Sequence, residues 1–123
     1  MKTYIKKDIS NTDDIESLVY SFYDKLKKNE KLSRHFIHVN WEHHIPIMCR
    51  FWENTLFYTG NYSGNPMEVH KKLHARERFT EEDFSIWINL FNETLDELFT
   101  GEKTELARTR ALGIATVMRI KIL

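Results

Sequence analysis

Residues 80–98 read TEEDFSIWINLFNETLDEL, and this stretch carries a clear helical pattern. Side chains suited to burial recur at the three- and four-residue spacing of one helix face. That face comprises Phe84, Trp87, Phe91, Thr94, Leu95 and Leu98. Thr80 and Asp83 have the spacing of a capping box, so we predict that the helix begins there. Gly101 is predicted to end it as a left-handed cap.

Three further segments have the same period. The first helix is predicted to begin at a cap within residues 11–13 and to end near Asn29. Its buried face comprises Ile15, Leu18, Val19, Phe22, Tyr23 and Leu26. The last helix is predicted to span about residues 103–121, and its alanines imply close approach to a neighbouring helix. Its inward face comprises Ala107, Ala111, Ile114, Ala115, Met118 and Ile122.

The remaining helix is predicted to run from about Trp41 to Tyr58, after a connector over residues 32–40 that forms one or two turns. Pro46 lies inside it, and proline is tolerated only within the first turn of a helix. We therefore expect either that the regular helix begins near Ile45 or that its first turn is loosely attached. No segment has a sustained period of two, so the predicted fold class is all-α, in a single domain over residues 1–123.

Charge and composition exclude several classes of protein. Eighteen basic residues balance eighteen acidic ones, so no net field recruits nucleic acid or an anionic membrane. Cys49 is the single cysteine, no apolar run is long enough to span a membrane, and the first residues lack the apolar core of a signal peptide. We expect a soluble, cytoplasmic protein. The sequence also lacks a phosphate-binding glycine loop, a CxxC pair and a nucleophile elbow.

Aromatic side chains are abundant: eight Phe, five Tyr and three Trp, beside six His. They predict either an aromatic-rich core or a cavity shaped for a planar ligand. Tyr23, Trp87 and His44 each allow two interpretations. Each can be a core residue whose polar atom bonds nearby, or a group directed into such a cavity. His44 shares its helix side with three apolar residues that are candidates to line the same cavity, namely Met48, Phe51 and Trp52.

Residues 59–78 have no clear period and contain Gly60, Gly64 and Pro66. A long irregular segment inside a small domain more often has a functional role than serves only as a connection. His70 follows Pro66 by four positions, and it is either a ligand to haem iron or an exposed loop histidine. His74, one helical turn later, is a competing ligand. The two histidines together suggest zinc, but two further ligands at a known spacing are missing.

Several segments in order resemble the group III truncated haemoglobins. They are residues 22–26, 32–36, 41–44, 51–52, 62–66, His70 and 84–91, and the resemblance extends from about residue 14 to the carboxyl end. It implies a truncated globin, a two-over-two helical sandwich that holds haem b. It also implies that His70 is the proximal iron ligand, that Tyr23, His44 and Trp87 are distal, and that Phe36 packs on the haem face.

The resemblance implies a protein that binds dioxygen, nitric oxide or other diatomic gases, with a role in oxygen handling or transport. Three alternatives stay open. The first is a haem enzyme that oxidises nitric oxide or reduces peroxide with an external reductase. The second is a sensor in which His44 is a sixth iron ligand, motivated by the loose helix start at Pro46. The third is a helical interaction module that binds no haem.

Overall fold

The computed structural model describes residues 6–60 and 78–122, and every regular element in those ranges is helical. Helix α1 spans Thr12–Lys28, a 3-10 turn spans Ser33–Phe36, α2 spans Trp41–Phe57, α3 spans Glu81–Leu98 and α4 spans Glu102–Ile122. The all-α prediction is confirmed. No helix within the described ranges is long and apolar enough to cross a membrane.

The predicted starts of helices α1 and α3 are confirmed, and each start is capped by a side chain. Asn11 caps α1 by accepting a hydrogen bond from the Asp14 backbone N–H. Thr80 and Asp83 form a reciprocal capping box at the start of α3, each side chain accepting from the backbone of the other. These contacts satisfy N–H groups that have no partner inside the helix.

The expectation that the regular helix begins near Ile45 is wrong. Helix α2 is continuous from Trp41, where Asn40 caps it by accepting from the His43 backbone N–H. Pro46 lacks the N–H that would reach the carbonyl of Glu42, one turn earlier. Both residues are exposed, so water can bond that carbonyl and the helix continues at moderate cost.

The prediction for Gly101 is also wrong. Helix α3 ends at Leu98 with an extended residue, Phe99, as its cap. Gly101 has a φ of +144° and instead precedes α4, where the chain passes close to Asp8. The Asp8 carboxylate accepts hydrogen bonds from the Lys103 and Thr104 backbone N–H groups at 2.8 and 2.9 Å. An acidic side chain from the amino-terminal segment therefore caps the last helix.

Helix α1 contacts α2, and α3 contacts α4. In addition, α1 contacts α3 and α2 contacts α4. This is the two-over-two arrangement. Ala107 and Ala111 have no exposed surface, as predicted for a helix that packs closely on its neighbours. Phe91 is also fully buried, and its ring contacts those of Phe22 and Trp52, both at a centroid distance of 5.0 Å.

Gly101→Ala should destabilise the protein. A Cβ at this position would lie 2.4 Å from the Asp8 Cγ, and the φ of +144° is unfavourable for any residue with a side chain. We expect the free energy of unfolding to fall by about 1–3 kcal/mol, measured by urea denaturation. Gly113→Ala is the matched control, because nothing lies within 4 Å of its Cβ position inside α4. It should raise the free energy of unfolding by about 0.5–1 kcal/mol. Equal effects at both sites would show that the Asp8 contact and the positive φ of Gly101 do not determine the cost.

Candidate functional site

All four helices and the 3-10 segment contribute to one cavity. The cavity has a volume of about 40 Å³ and is partly open to solvent. Most of its walls are apolar. The lining residues are Tyr23, Leu32, Phe36, His44, Phe79, Asp83, Phe84, Trp87, Ala115 and Met118. Of the predicted site residues, the structure therefore brings Tyr23, Phe36, His44 and Trp87 together.

Tyr23 and His44 meet in the cavity wall between α1 and α2. The Tyr23 Oη lies 3.3 Å from the His44 Nε2, and the two rings are nearly perpendicular with centroids 5.2 Å apart. Trp41 packs against both rings, at 5.3 and 5.8 Å. Tyr23 reaches this position because it belongs to the buried face of α1, and His44 because the first turn of α2 is regular despite Pro46.

Trp87 comes from α3 and is held between core aromatic rings. Its ring is edge-on to Phe22 at 5.5 Å and nearly parallel to Phe91 at 6.1 Å. The indole is half-buried and lines the cavity. Because the indole N–H can only donate, Trp87 is a candidate hydrogen-bond donor for a ligand in the cavity.

Phe36 lies at the end of the 3-10 turn. Its ring is edge-on to Tyr23 at 6.5 Å and packs on Trp41 at 5.6 Å. The 3-10 segment thereby joins the same aromatic group that positions Tyr23 and His44. Phe36 and the nearby Leu32 give this part of the wall its apolar character.

Asp83 is the cavity residue least expected from the sequence, where its spacing predicted only a helix cap. Its Oδ2 accepts from the Thr80 backbone N–H at 2.9 Å and from Arg34 Nη2 at 2.6 Å, and lies 3.1 Å from His35 Nε2. Burial alone raises the pKa of this carboxyl group. The hydrogen bonds from Thr80 and His35 and the charge of Arg34 outweigh burial, so its pKa is lowered from 3.8.

Five further residues line the cavity that were not predicted from the sequence to belong to the site: Leu32, Phe79, Phe84, Ala115 and Met118. A signal for three of them was present. Phe84 precedes Trp87 by three positions on the same helix face, and Ala115 precedes Met118 by the same interval on α4. Phe79 lies outside any helix, and its contact with the His35 ring depends on tertiary structure.

Three predicted residues are not among the described residues that line the cavity. Trp52 is stacked on Phe91 in the core, Phe51 packs against Trp52, and Met48 is buried in the same cluster. His70 and its rival His74 lie outside the described residues. Within residues 6–60 and 78–122, no group of three His, Cys, Asp or Glu side chains is placed to hold a metal ion.

A known protein and a solved structure resemble this chain, and both are truncated hemoglobins of the same group. No family model matches the chain. A group 3 truncated hemoglobin, ctb, from Campylobacter jejuni is 30% identical over 118 residues, covering 91% of each chain. The crystal structure of group III truncated hemoglobin from Campylobacter jejuni is similar with a TM-score of 0.84 and 28% identity. That likeness covers 97% of this chain and 96% of the other.

Replacing Asp83 should have a pH-dependent effect on stability. Asp83→Asn keeps an acceptor oxygen but removes the charge, so we expect the free energy of unfolding at neutral pH to fall by about 1–3 kcal/mol. Because the folded-state pKa is lowered from 3.8, this stabilisation is complete above that value. It is lost as the pH falls through the lowered pKa.

Urea denaturation of both proteins between pH 7 and pH 3 measures this difference. Glu93→Gln removes an exposed charge from the same helix and controls for the change in net charge. A difference between wild type and Asp83→Asn that stays constant down to pH 3 would show that the Asp83 charge is not the stabilising feature.

Proposed function

The chain belongs to the group III truncated haemoglobins, and we propose that it binds haem b through His70 and holds diatomic gases beside Tyr23, His44 and Trp87. Membership of a globin family implies haem binding in general. The observation that carries the finer proposal is the convergence of three polar side chains, from α1, α2 and α3, on one largely apolar cavity.

The described cavity residues suit a porphyrin. Phe36, Phe79 and Phe84 present aromatic surface, and Met118 adds an adaptable apolar side chain. Such walls favour a flat, mainly apolar ring, and the polar side chains are few and grouped. When bound, haem supplies an iron with a coordination position open to a diatomic gas. His70 is proposed as the proximal ligand from its position in the family pattern alone.

The Tyr23–His44 contact supports a donor role for Tyr23. If the His44 Nε2 carries its hydrogen, it donates to the Tyr23 oxygen and leaves the hydroxyl hydrogen directed elsewhere. The Trp87 indole supplies a second donor to the same cavity. Donors aimed at a ligand that gains negative charge stabilise it more than they would stabilise a neutral one. Slow release of dioxygen is the expected consequence.

The hypothesis that His44 is a sixth iron ligand no longer has the observation that motivated it. That hypothesis depended on a loose helix start at Pro46, whereas α2 is continuous from Trp41. His44 also contacts Tyr23 and Trp41 within the wall. We therefore propose that His44 supports Tyr23.

A second candidate function is enzymatic: oxidation of nitric oxide or reduction of peroxide, in the cytoplasm and with an external reductase. The same grouped donors favour it, because groups that stabilise a charged diatomic ligand also assist cleavage of an O–O bond. Steady-state turnover no faster than that of free haem would exclude this candidate and leave gas binding unaffected.

His70→Ala tests the proposed iron ligand. We expect the variant to lose the iron–histidine stretching band of the ferrous protein and to bind haem at least about tenfold more weakly, with added imidazole restoring the spectrum. His74→Ala is the matched control, four residues further along the sequence, and should keep the wild-type spectrum. The proposal fails if His70→Ala keeps its axial ligand, or if His74→Ala is the variant that loses it.

Tyr23→Phe and Trp87→Phe test the donor roles. Removing one hydrogen bond to a charged ligand should speed dioxygen release by about 10- to 30-fold, measured by stopped-flow displacement with carbon monoxide. Tyr20→Phe is the control, because this tyrosine of the same helix is 59% exposed. Release rates that match wild type in both cavity variants would refute the donor assignment.

A further inference from the structure

We propose that the buried hydrogen bond between His35 and Asp83 fixes the positions of Phe36 and Trp87 relative to each other across the cavity. In this role the pair sets how strongly the Trp87 indole acts on a bound gas. The inference deepens the proposed function and depends on it, since it assumes that the cavity holds haem. Neither residue belongs to the distal set proposed above, Tyr23, His44 and Trp87.

The pair is a long-range polar contact inside the fold. The two residues are 48 positions apart, their side chains are 0% and 2% exposed, and the Nε2–Oδ2 distance is 3.1 Å. A carboxylate can only accept, so the His35 Nε2 carries the hydrogen and donates it. Burying such a pair costs desolvation energy that an apolar pair of similar volume would avoid. A role in fixing geometry accounts for a polar contact at this position.

At the Asp83 end, the pair acts on the first turn of α3. Asp83 closes the capping box through the Thr80 backbone N–H, so its carboxylate is tied to the backbone where the helix begins. Trp87 follows one turn later on the same face, and both side chains line the cavity. A contact that fixes the first turn of α3 therefore also fixes the direction in which the Trp87 side chain leaves the helix.

At the His35 end, the pair acts on the 3-10 turn. That turn has only four residues, too few to be stable without tertiary contacts. The His35 ring stacks on Phe79 with centroids 4.1 Å apart, and the next residue is Phe36. Phe36 in turn packs edge-on to Tyr23. Anchoring His35 to Asp83 therefore places the Phe36 ring relative to both Tyr23 and α3.

Arg34 adds a second contact to the same carboxylate oxygen but cannot replace His35. Its Nη2 lies 2.6 Å from the Asp83 Oδ2, and its side chain is one-third exposed. Arg34 is long and partly hydrated, so it can follow small movements of α3. The His35 side chain is fully enclosed, so the donor that it presents to Asp83 has little freedom to move.

Two substitutions separate the donor from the ring. His35→Gln keeps an N–H at about the Nε2 position and loses the ring, whereas His35→Phe keeps the ring that stacks on Phe79 and loses the donor. His38→Phe is the control, an exposed histidine just beyond the same turn. The readouts are the carbon monoxide stretching band of the ferrous complex, the indole N–H resonance of Trp87 in that complex, and the dioxygen release rate.

We expect His35→Phe to shift or split the stretching band, to move the Trp87 resonance and to speed dioxygen release by about three- to tenfold. His35→Gln and His38→Phe should retain the wild-type band. In the Trp87→Phe background, His35→Phe should add less than about a twofold change, because the pair acts through the indole. If His35→Phe does not fold, Asp83→Ser keeps a cap acceptor but cannot reach His35, and comparison with Arg34→Gln separates the loss of the Arg34 contact from the loss of the His35 contact.

The outcomes distinguish this inference from the proposed function. A wild-type protein that takes up no haem would refute both. A haem protein ligated by His70 in which His35→Phe leaves all three readouts unchanged refutes only the positioning role. The same conclusion follows if His35→Gln behaves like His35→Phe, or if the effects of His35→Phe and Trp87→Phe on dioxygen release simply multiply.

Discussion

Burial of the Phe91 ring is the constraint on which the cavity depends. Phe91 has no exposed surface, and its ring meets Phe22 of α1, Trp52 of α2 and Trp87 of α3. Tyr23 follows Phe22 directly, His44 precedes Trp52 by two turns, and Trp87 precedes Phe91 by one. The three proposed distal residues are therefore placed by the same aromatic contacts that close the core, since close-packed interiors transmit small displacements.

Tyr23, His44 and Asp83 make hydrogen-bonding contacts within the fold, which offset the cost of placing polar groups in this cavity. Unpartnered polar groups in an apolar wall cost more than an ordinary hydrogen bond contributes. Tyr23 contacts His44, and the Asp83 oxygen accepts from a backbone N–H, an arginine and a histidine. Asp83 thereby serves three purposes, as a helix cap, a partner for the 3-10 turn and a part of the cavity wall.

Periodicity and capping were sufficient to predict the four helices and to place Tyr23 and Trp87 on buried faces. Local rules failed where a distant residue decides the outcome. Gly101 follows a helix in sequence, yet its conformation is constrained by the close approach of Asp8 from the other end of the chain. Trp52 shares a helix side with His44, and its ring stacks on Phe91 in the core. That contact joins two helices, so it could not be read from the spacing of residues within one of them.

The distribution of donors and acceptors argues for the kind of ligand that the cavity suits. Asp83 presents a carboxylate, but its Oδ2 is already shared by three donors, and Arg34 offsets its charge. The Trp87 indole and the Tyr23–His44 pair contribute N–H and O–H groups to the same wall. A ligand that enters neutral and gains negative charge on binding meets no strong repulsion at first and is then stabilised by these donors. Dioxygen has this property, whereas an anion must lose its hydration before it reaches the same groups.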